Sequence, residues 1–120
     1  MQSIRRVFII GLFSLISTLA LATRPDVPEK PINLSVKGEF KGAVATARLK
    51  WQDQSDNELG FEILRSDNGA EYRVVGFAGA NTEAYEDKVG KYINGAFAYQ
   101  VRAFNEEGKS ETSNAASVWF

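Results

Sequence analysis

Chemistry in this chain is concentrated in Gln52-Asp53-Gln54-Ser55-Asp56-Asn57-Glu58, directly after Trp51. Three carboxylates and several amides within seven residues suggest two activities. One is a calcium loop. Asp53, Ser55 and Asn57 match its first, third and fifth ligand positions. Glu58 then stands where the sharp turn needs glycine, and Leu64 stands where the bidentate glutamate belongs, so the pattern fails. The other activity is hydrolysis by a carboxylate pair drawn from Asp53, Asp56 and Glu58. It would need a cleft and one raised pKa. The remaining reading is a turn whose side chains bond to the nearby backbone. Asn33-Leu34-Ser35 fits a glycosylation sequon, but it lies inside an expected strand and is read as coincidence.

Composition narrows the choices further. The 120-residue chain has neither cysteine nor histidine. A thiolate metal site or disulfide is impossible, and the usual general base and commonest metal ligand are missing. Net charge is -1, with no basic excess to attract nucleic acid. No catalytic residue, metal or cofactor is expected.

Residues 1–22 differ from the rest. A short basic start, MQSIRR, precedes the uncharged and mostly apolar VFIIGLFSLISTLALA. Ala20-Leu21-Ala22 fits an A-x-A cleavage site, completing the layout of a secretory signal helix. As a helix, residues 7–22 would reach about 24 Å, short of the roughly 30 Å of membrane hydrocarbon. Cleavage is expected after Ala22, giving a secreted or periplasmic protein with no stable membrane span. Loss of Arg5 and Arg6 from the 14 basic residues leaves 12 against 15 acidic ones, a net charge of -3.

The elements that must position the loop are strands. Pro25, Pro28 and Pro31 make residues 23–31 an extended, Pro-containing linker. From Ile32 onward, short alternating runs are separated by Gly, Asn, Asp and Ser, with no helical period. Strands are expected at 32–36, 43–51, 61–66, 71–78, 82–87, 96–104 and 116–120. KGEFKG is expected as a polar connection. Asn68-Gly69 signals a tight hairpin, because both residues tolerate positive φ. Alternation places Leu49, Trp51, Phe61, Ile63, Phe97, Tyr99 and Val101 in the core.

Seven short strands imply a two-sheet, immunoglobulin-like sandwich over residues 32–120. The ordered motifs resemble a fibronectin type III domain. Pro28, Pro31, Asn33 and Leu34 resemble the lead into its first strand. Leu49-Lys50-Trp51 resembles the end of its second. NELGFEILRS resembles a run common in bacterial members. Ala80-Asn81-Thr82 and Tyr85-Glu86-Asp87 resemble its strand E region. Tyr99-Gln100-Val101-Arg102-Ala103-Phe104-Asn105, with Gly108 and Ser110, resembles its strand F signature. Ser113-Asn114 resembles the pair before its last strand. Two departures stand out. Phe97 occupies a position where the family usually has tyrosine, so no tyrosine-corner hydroxyl is present there. VGKYINGA is about one residue longer than the family's stretch, leaving Tyr92 or Ile93 to fill a leucine's pocket. An RGD adhesion motif, used by some members, is absent.

With the export signal of residues 1–22, the resemblance implies an exported, non-catalytic module for interaction or adhesion, with a protein or surface glycan as partner. Period 2 turns Glu62, Leu64, Gln100, Arg102 and Phe104 outward on one sheet. Leu64, Arg102 and Phe104 are therefore candidate contacts. Trp119 and Phe120 are candidates as an aromatic sugar platform or a pairing strand. A carbohydrate-binding accessory of polysaccharide degradation is the alternative role, and a small hydrolase the second.

Overall fold

A computed structural model describes residues 26–120. The expected signal helix and the Ala22 cleavage site lie outside the described residues. The chain forms β1 (Ile32–Lys41), β2 (Val44–Gln52), β3 (Gly60–Asp67), β4 (Arg73–Gly79), β5 (Ala84–Lys91), β6 (Ala96–Asn105), β7 (Gly108–Lys109) and β8 (Ala116–Trp119). Two antiparallel sheets result. One has the order β1-β2-β5. The other runs β4-β3-β6, with β7 and β8 each paired to β6. They stack as an immunoglobulin-like sandwich.

Three element boundaries differ from expectation. KGEFKG is not a connection: β1 continues to Lys41, opposite Val44. Gly42, at φ 63°, makes the reversal possible. The fifth strand is longer than TEAYED because its pairing with β2 extends to Lys91. A two-residue strand not expected, β7, precedes β8, which is the expected last strand, giving eight strands where seven were expected. Between β7 and β8, Ser110 and Ser113 take over the ladder. Their N–H groups donate to Ala103 and Val101 carbonyls. Their hydroxyl oxygens accept from the N–H groups of the same two residues. The buried backbone of β6 is thereby satisfied without a continuous partner strand.

The turn at Asn68-Gly69 forms, with φ of 52° and 83°, but it opens a longer connection than a tight hairpin, because the β3–β4 ladder closes at Arg65 and Arg73. Both φ values are positive, as a turn of this type requires. Asn68 also accepts from the Ala96 N–H through its side-chain oxygen, fastening the turn to β6.

Alternation builds the core. Leu49, Trp51, Phe61, Ile63, Phe97, Tyr99 and Val101 are all buried in one cluster with Leu34, Ala47 and Ala103. Trp51 and Phe61 pack ring on ring at 5.5 Å. Ile93 joins the core edge, whereas Tyr92 is 85 % exposed. The extra residue in VGKYINGA is accommodated by turning Tyr92 out, at φ 56°. Gly38 brings β1 against Val118 and Phe120. That contact packs β1 on the C-terminal strand across the sandwich interior. Gly76 leaves room for the Tyr85 hydroxyl.

An ionic network sits inside this apolar layer. Arg65 follows Phe61 and Ile63 on the inward face of β3. Its Nη1 donates to Asp87 Oδ2 on β5 at 2.8 Å, joining the two sheets. Tyr99 on β6 donates its hydroxyl to the same oxygen at 2.7 Å. Asp67 closes the other side of the guanidinium, at 2.6 Å from Nε and 3.1 Å from Nη2. The guanidinium carbon lies 5.7 Å from the Phe97 ring centre. Burial, and then the Asp87 carboxylate, push the Tyr99 phenol well above its ordinary value. Tyr99 consequently remains a donor at neutral pH.

The Arg65 and Asp87 side chains are only 9 % and 10 % exposed. Removing one partner strands the other charge in a low-dielectric layer. Arg65→Met is expected to lower unfolding free energy by about 3–5 kcal/mol. Adding Asp87→Leu should restore part of that loss. Denaturant unfolding of the two variants tests this, and a double variant weaker than Arg65→Met alone would contradict it.

Candidate partner-binding surface

The acidic stretch forms the loop between β2 and β3. The Ser55 N–H donates to Asp53 Oδ1 at 3.0 Å. The Ser55 hydroxyl lies 3.0 Å from that oxygen and 2.8 Å from Glu58 Oε1. Glu58 Oε2 accepts from the Asn81 N–H at 2.8 Å. The Asp53 N–H donates to Glu83 at 2.8 Å. Ser55 has one hydroxyl proton for two carboxylates, so Asp53 and Glu58 compete for it. Burial, joined by neighbouring Glu58, raises the Asp53 pKa. Burial opposes ionisation of Glu58 too, but donors from Asn81 and Ser55 outweigh it and hold its carboxyl low. The geometry is that of a turn fastened by its own side chains. No group of three or more carboxylates among the described residues is arranged to hold a metal ion.

The same end of the sandwich receives the chain from its N-terminal side. Asn57 and Asn105 both donate side-chain N–H groups to the Asp26 carbonyl, each at 3.0 Å. Pro28 and Pro31 are buried. Residues 26–31 of the Pro-containing segment therefore lie against the domain.

Of the terminal aromatics, Trp119 is 76 % exposed. Phe120 is not an open platform. It packs at 5.9 Å on core Phe97 and at 5.6 Å on Phe40, and its backbone exchanges two hydrogen bonds with Gly95. It serves to close the sandwich end.

The outer face of β4-β3-β6 carries the other candidates. Leu64 faces outward as expected, but only 6 % of it is exposed. It is flanked by Val74 and Gln100 in register, and is not available for contact. Glu62 is covered as well. It accepts from Arg102 Nε at 2.7 Å, and Lys109 Nζ lies 3.0 Å from its second oxygen. Burial opposes ionisation of Glu62, but the two cations outweigh it and keep its carboxyl below the usual range. Two positive charges thus share one negative charge, leaving this cluster net positive on an acidic protein. Phe104 is half-buried, with its ring beside Gly60.

Alternation alone misses Phe77. This residue is 63 % exposed and meets Phe104 edge to face at 6.2 Å. An extra residue in β4, Val75, breaks the register between Ile63/Gly76 and Leu64/Val74. Such a bulge resets which side chains face out. The resulting surface joins Phe77 and Phe104 to the cationic pair Arg102 and Lys109.

No family model and no curated protein matches the chain. Among solved structures, it is similar to domains A168–A170 of titin, with 20 % identity and a TM-score of 0.64, covering 78 % of this chain and 32 % of that one. The chain thus spans about a third of that titin fragment. It is also similar to a Fn3-like protein from Clostridium thermocellum, with 22 % identity and a TM-score of 0.57 over 78 % of this chain and 91 % of that one. A β-1,2-glucanase from Parabacteroides distasonis matches at 20 % identity and a TM-score of 0.61, covering 82 % of this chain but 14 % of the enzyme. The fold is fibronectin type III-like.

Glu62 provides a pH test. Its folded pKa is depressed, so its contribution is complete above the ordinary carboxylate value of about 4.3 and is lost as pH falls through the lower folded value. Glu62→Gln should therefore lower stability at pH 7, and the gap from wild type should close in strong acid. Unfolding midpoints measured across pH check this; a gap that stays constant would show that Glu62 acts without its charge.

Proposed function

We propose that this chain is an exported, non-catalytic sandwich module that binds a protein partner through the outer face of β4-β3-β6. The observation carrying this reading is the exposed Phe77, packed on half-buried Phe104, beside the cationic Arg102–Lys109 cluster. Aromatic rings supply apolar contact area, while a positive rim selects acidic partners and speeds encounter. Export rests on the signal-type pattern of residues 1–22. The absence of a catalytic role is supported by the Asp53–Glu58 loop, where the side-chain bonds hold a turn.

Glycan binding is the second reading. Two observations favour it: the exposed Trp119 and the likeness of this fold to part of a β-1,2-glucanase. An exposed indole can lie against a sugar ring.

Crosslinking in the native envelope and medium, followed by identification of captured proteins, tests the primary reading. Phe104→Ala and Arg102→Glu should each weaken capture about tenfold or more, the loss expected of a residue central to an interface. Retention on immobilised polysaccharide tests the second. If Trp119→Ala abolishes retention while Phe104→Ala and Arg102→Glu capture normally, the glycan reading replaces the protein one.

A further inference from the structure

The sandwich has several sheet edges, and they are not alike. The β1 edge carries Lys37, Glu39 and Lys41. The β5 edge carries Glu86, Lys88 and Lys91, charges of the kind that discourage strand pairing. The β4 edge has no such row of charges. Its sequence is RVVGFAG, with one charge at its first residue. Among the described residues, β4 pairs only with β3.

The bulge at Val75 interrupts only the N-terminal half of β4. Gly76 to Gly79 run regularly opposite Ile63 to Gly60. An uncharged, regular edge of this kind accepts a further strand through its backbone. Its side chains indicate which strand fits. Centred on Phe77, an antiparallel copy of the same segment places Phe77 opposite Phe77 of the second copy. Gly76 then faces Ala78 of that copy, small against small, on the core side. Arg73 falls opposite Asn81 of the copy, so no like charges meet. Each Phe77 already packs on its own Phe104, and the pairing joins the rings into a four-ring cluster.

We propose that two copies of this chain associate through β4 about a two-fold axis, joining their larger sheets edge to edge. A two-fold axis is the commonest symmetry of soluble oligomers, and its self-complementary patch is what the Phe77-centred register supplies. The contact is short, so association is weak and depends on concentration. Its consequence is bivalent display. Two Arg102–Lys109 clusters lie on one continuous sheet, and a partner with repeated sites gains avidity. The dimer does not depend on the partner reading above.

Gly79→Lys separates the two ideas. A Cβ at Gly79 meets only Thr82 Oγ1, at 3.9 Å, so the fold tolerates a side chain there. The lysine guards the edge while leaving Phe77, Phe104 and Arg102 in place. Sedimentation equilibrium is run on protein expressed from the full 120-residue chain, as recovered from the producing cell. Wild type should move from monomer toward twice the monomer mass as concentration rises to about 1 mM, where a millimolar complex is half formed. Gly79→Lys should stay monomeric with an unchanged unfolding midpoint, and Phe77→Ser should weaken association at least about tenfold. A wild type that is monomeric at about 1 mM overturns the proposal, as does Gly79→Lys protein that associates like wild type. Should Gly79→Lys shift the midpoint, Phe77→Ser decides alone. Loss of partner capture in Arg102→Glu with the dimer intact would bear on the partner reading alone.

Discussion

Arg65, Asp87 and Tyr99 form the constraint on which the register of the two sheets depends. Apolar side chains would tolerate sliding of one sheet over the other, because dispersion and burial have little directionality. A guanidinium bonded across the layer at 2.8 Å does not. Desolvating two charges is costly, and the pair is kept favourable only by good geometry and further hydrogen bonds. Both conditions are met. Asp87 accepts from Tyr99 as well as Arg65, while Asp67 and the Phe97 ring occupy other faces of the guanidinium. Moving β5 by two residues against β3 would strand a carboxylate, so the network sets position even where its net stabilisation is small.

That anchoring is separate from the outer face of the larger sheet. β3 is the central strand, and its inward residues are committed to the core and the ion pair. Outward, Glu62 organises Arg102 and Lys109 from β6 and β7. A lone carboxylate between two cations holds long side chains in one arrangement, lowering the entropy lost on binding. The Val75 bulge adds Phe77 to the same surface. The candidate interface is thus assembled from four strands that the core fixes relative to one another.

Much of this was legible in the sequence because period 2 is a local property. The inward residues of β2, β3 and β6, the Asn68-Gly69 turn and the sandwich class follow from it. What was not legible depends on neighbours distant in the chain. Leu64 has the alternation of a surface residue, but Val74 and Gln100 flank it. Arg65 falls at an inward position, and nothing local shows that Asp87 waits twenty-two residues away. Phe77 escapes because one bulged residue reverses the alternation. Ser110 and Ser113 stand out only as parts of the resemblance, and nothing local shows that their hydroxyls replace a missing ladder. Tyr92 and Ile93 were interchangeable by pattern, and only the pocket beside the core distinguishes them.

The acidic loop shows why a dense polar motif differs from a reactive one. Reactivity requires donors and acceptors that the fold leaves available in a water-poor cleft. In this loop Asp53 accepts from Ser55, Glu58 accepts from Asn81, and Glu83 holds the Asp53 N–H. Asp53, Glu58 and Glu83 each satisfy a backbone group that a tight connection would otherwise leave bare, while Asp56 is exposed to solvent. Asp53 and Glu58, which look chemical in the sequence, thus hold the connection together. The proposed interface is the less conspicuous surface, where exposed Phe77 packs on half-buried Phe104 beside charges already held in place.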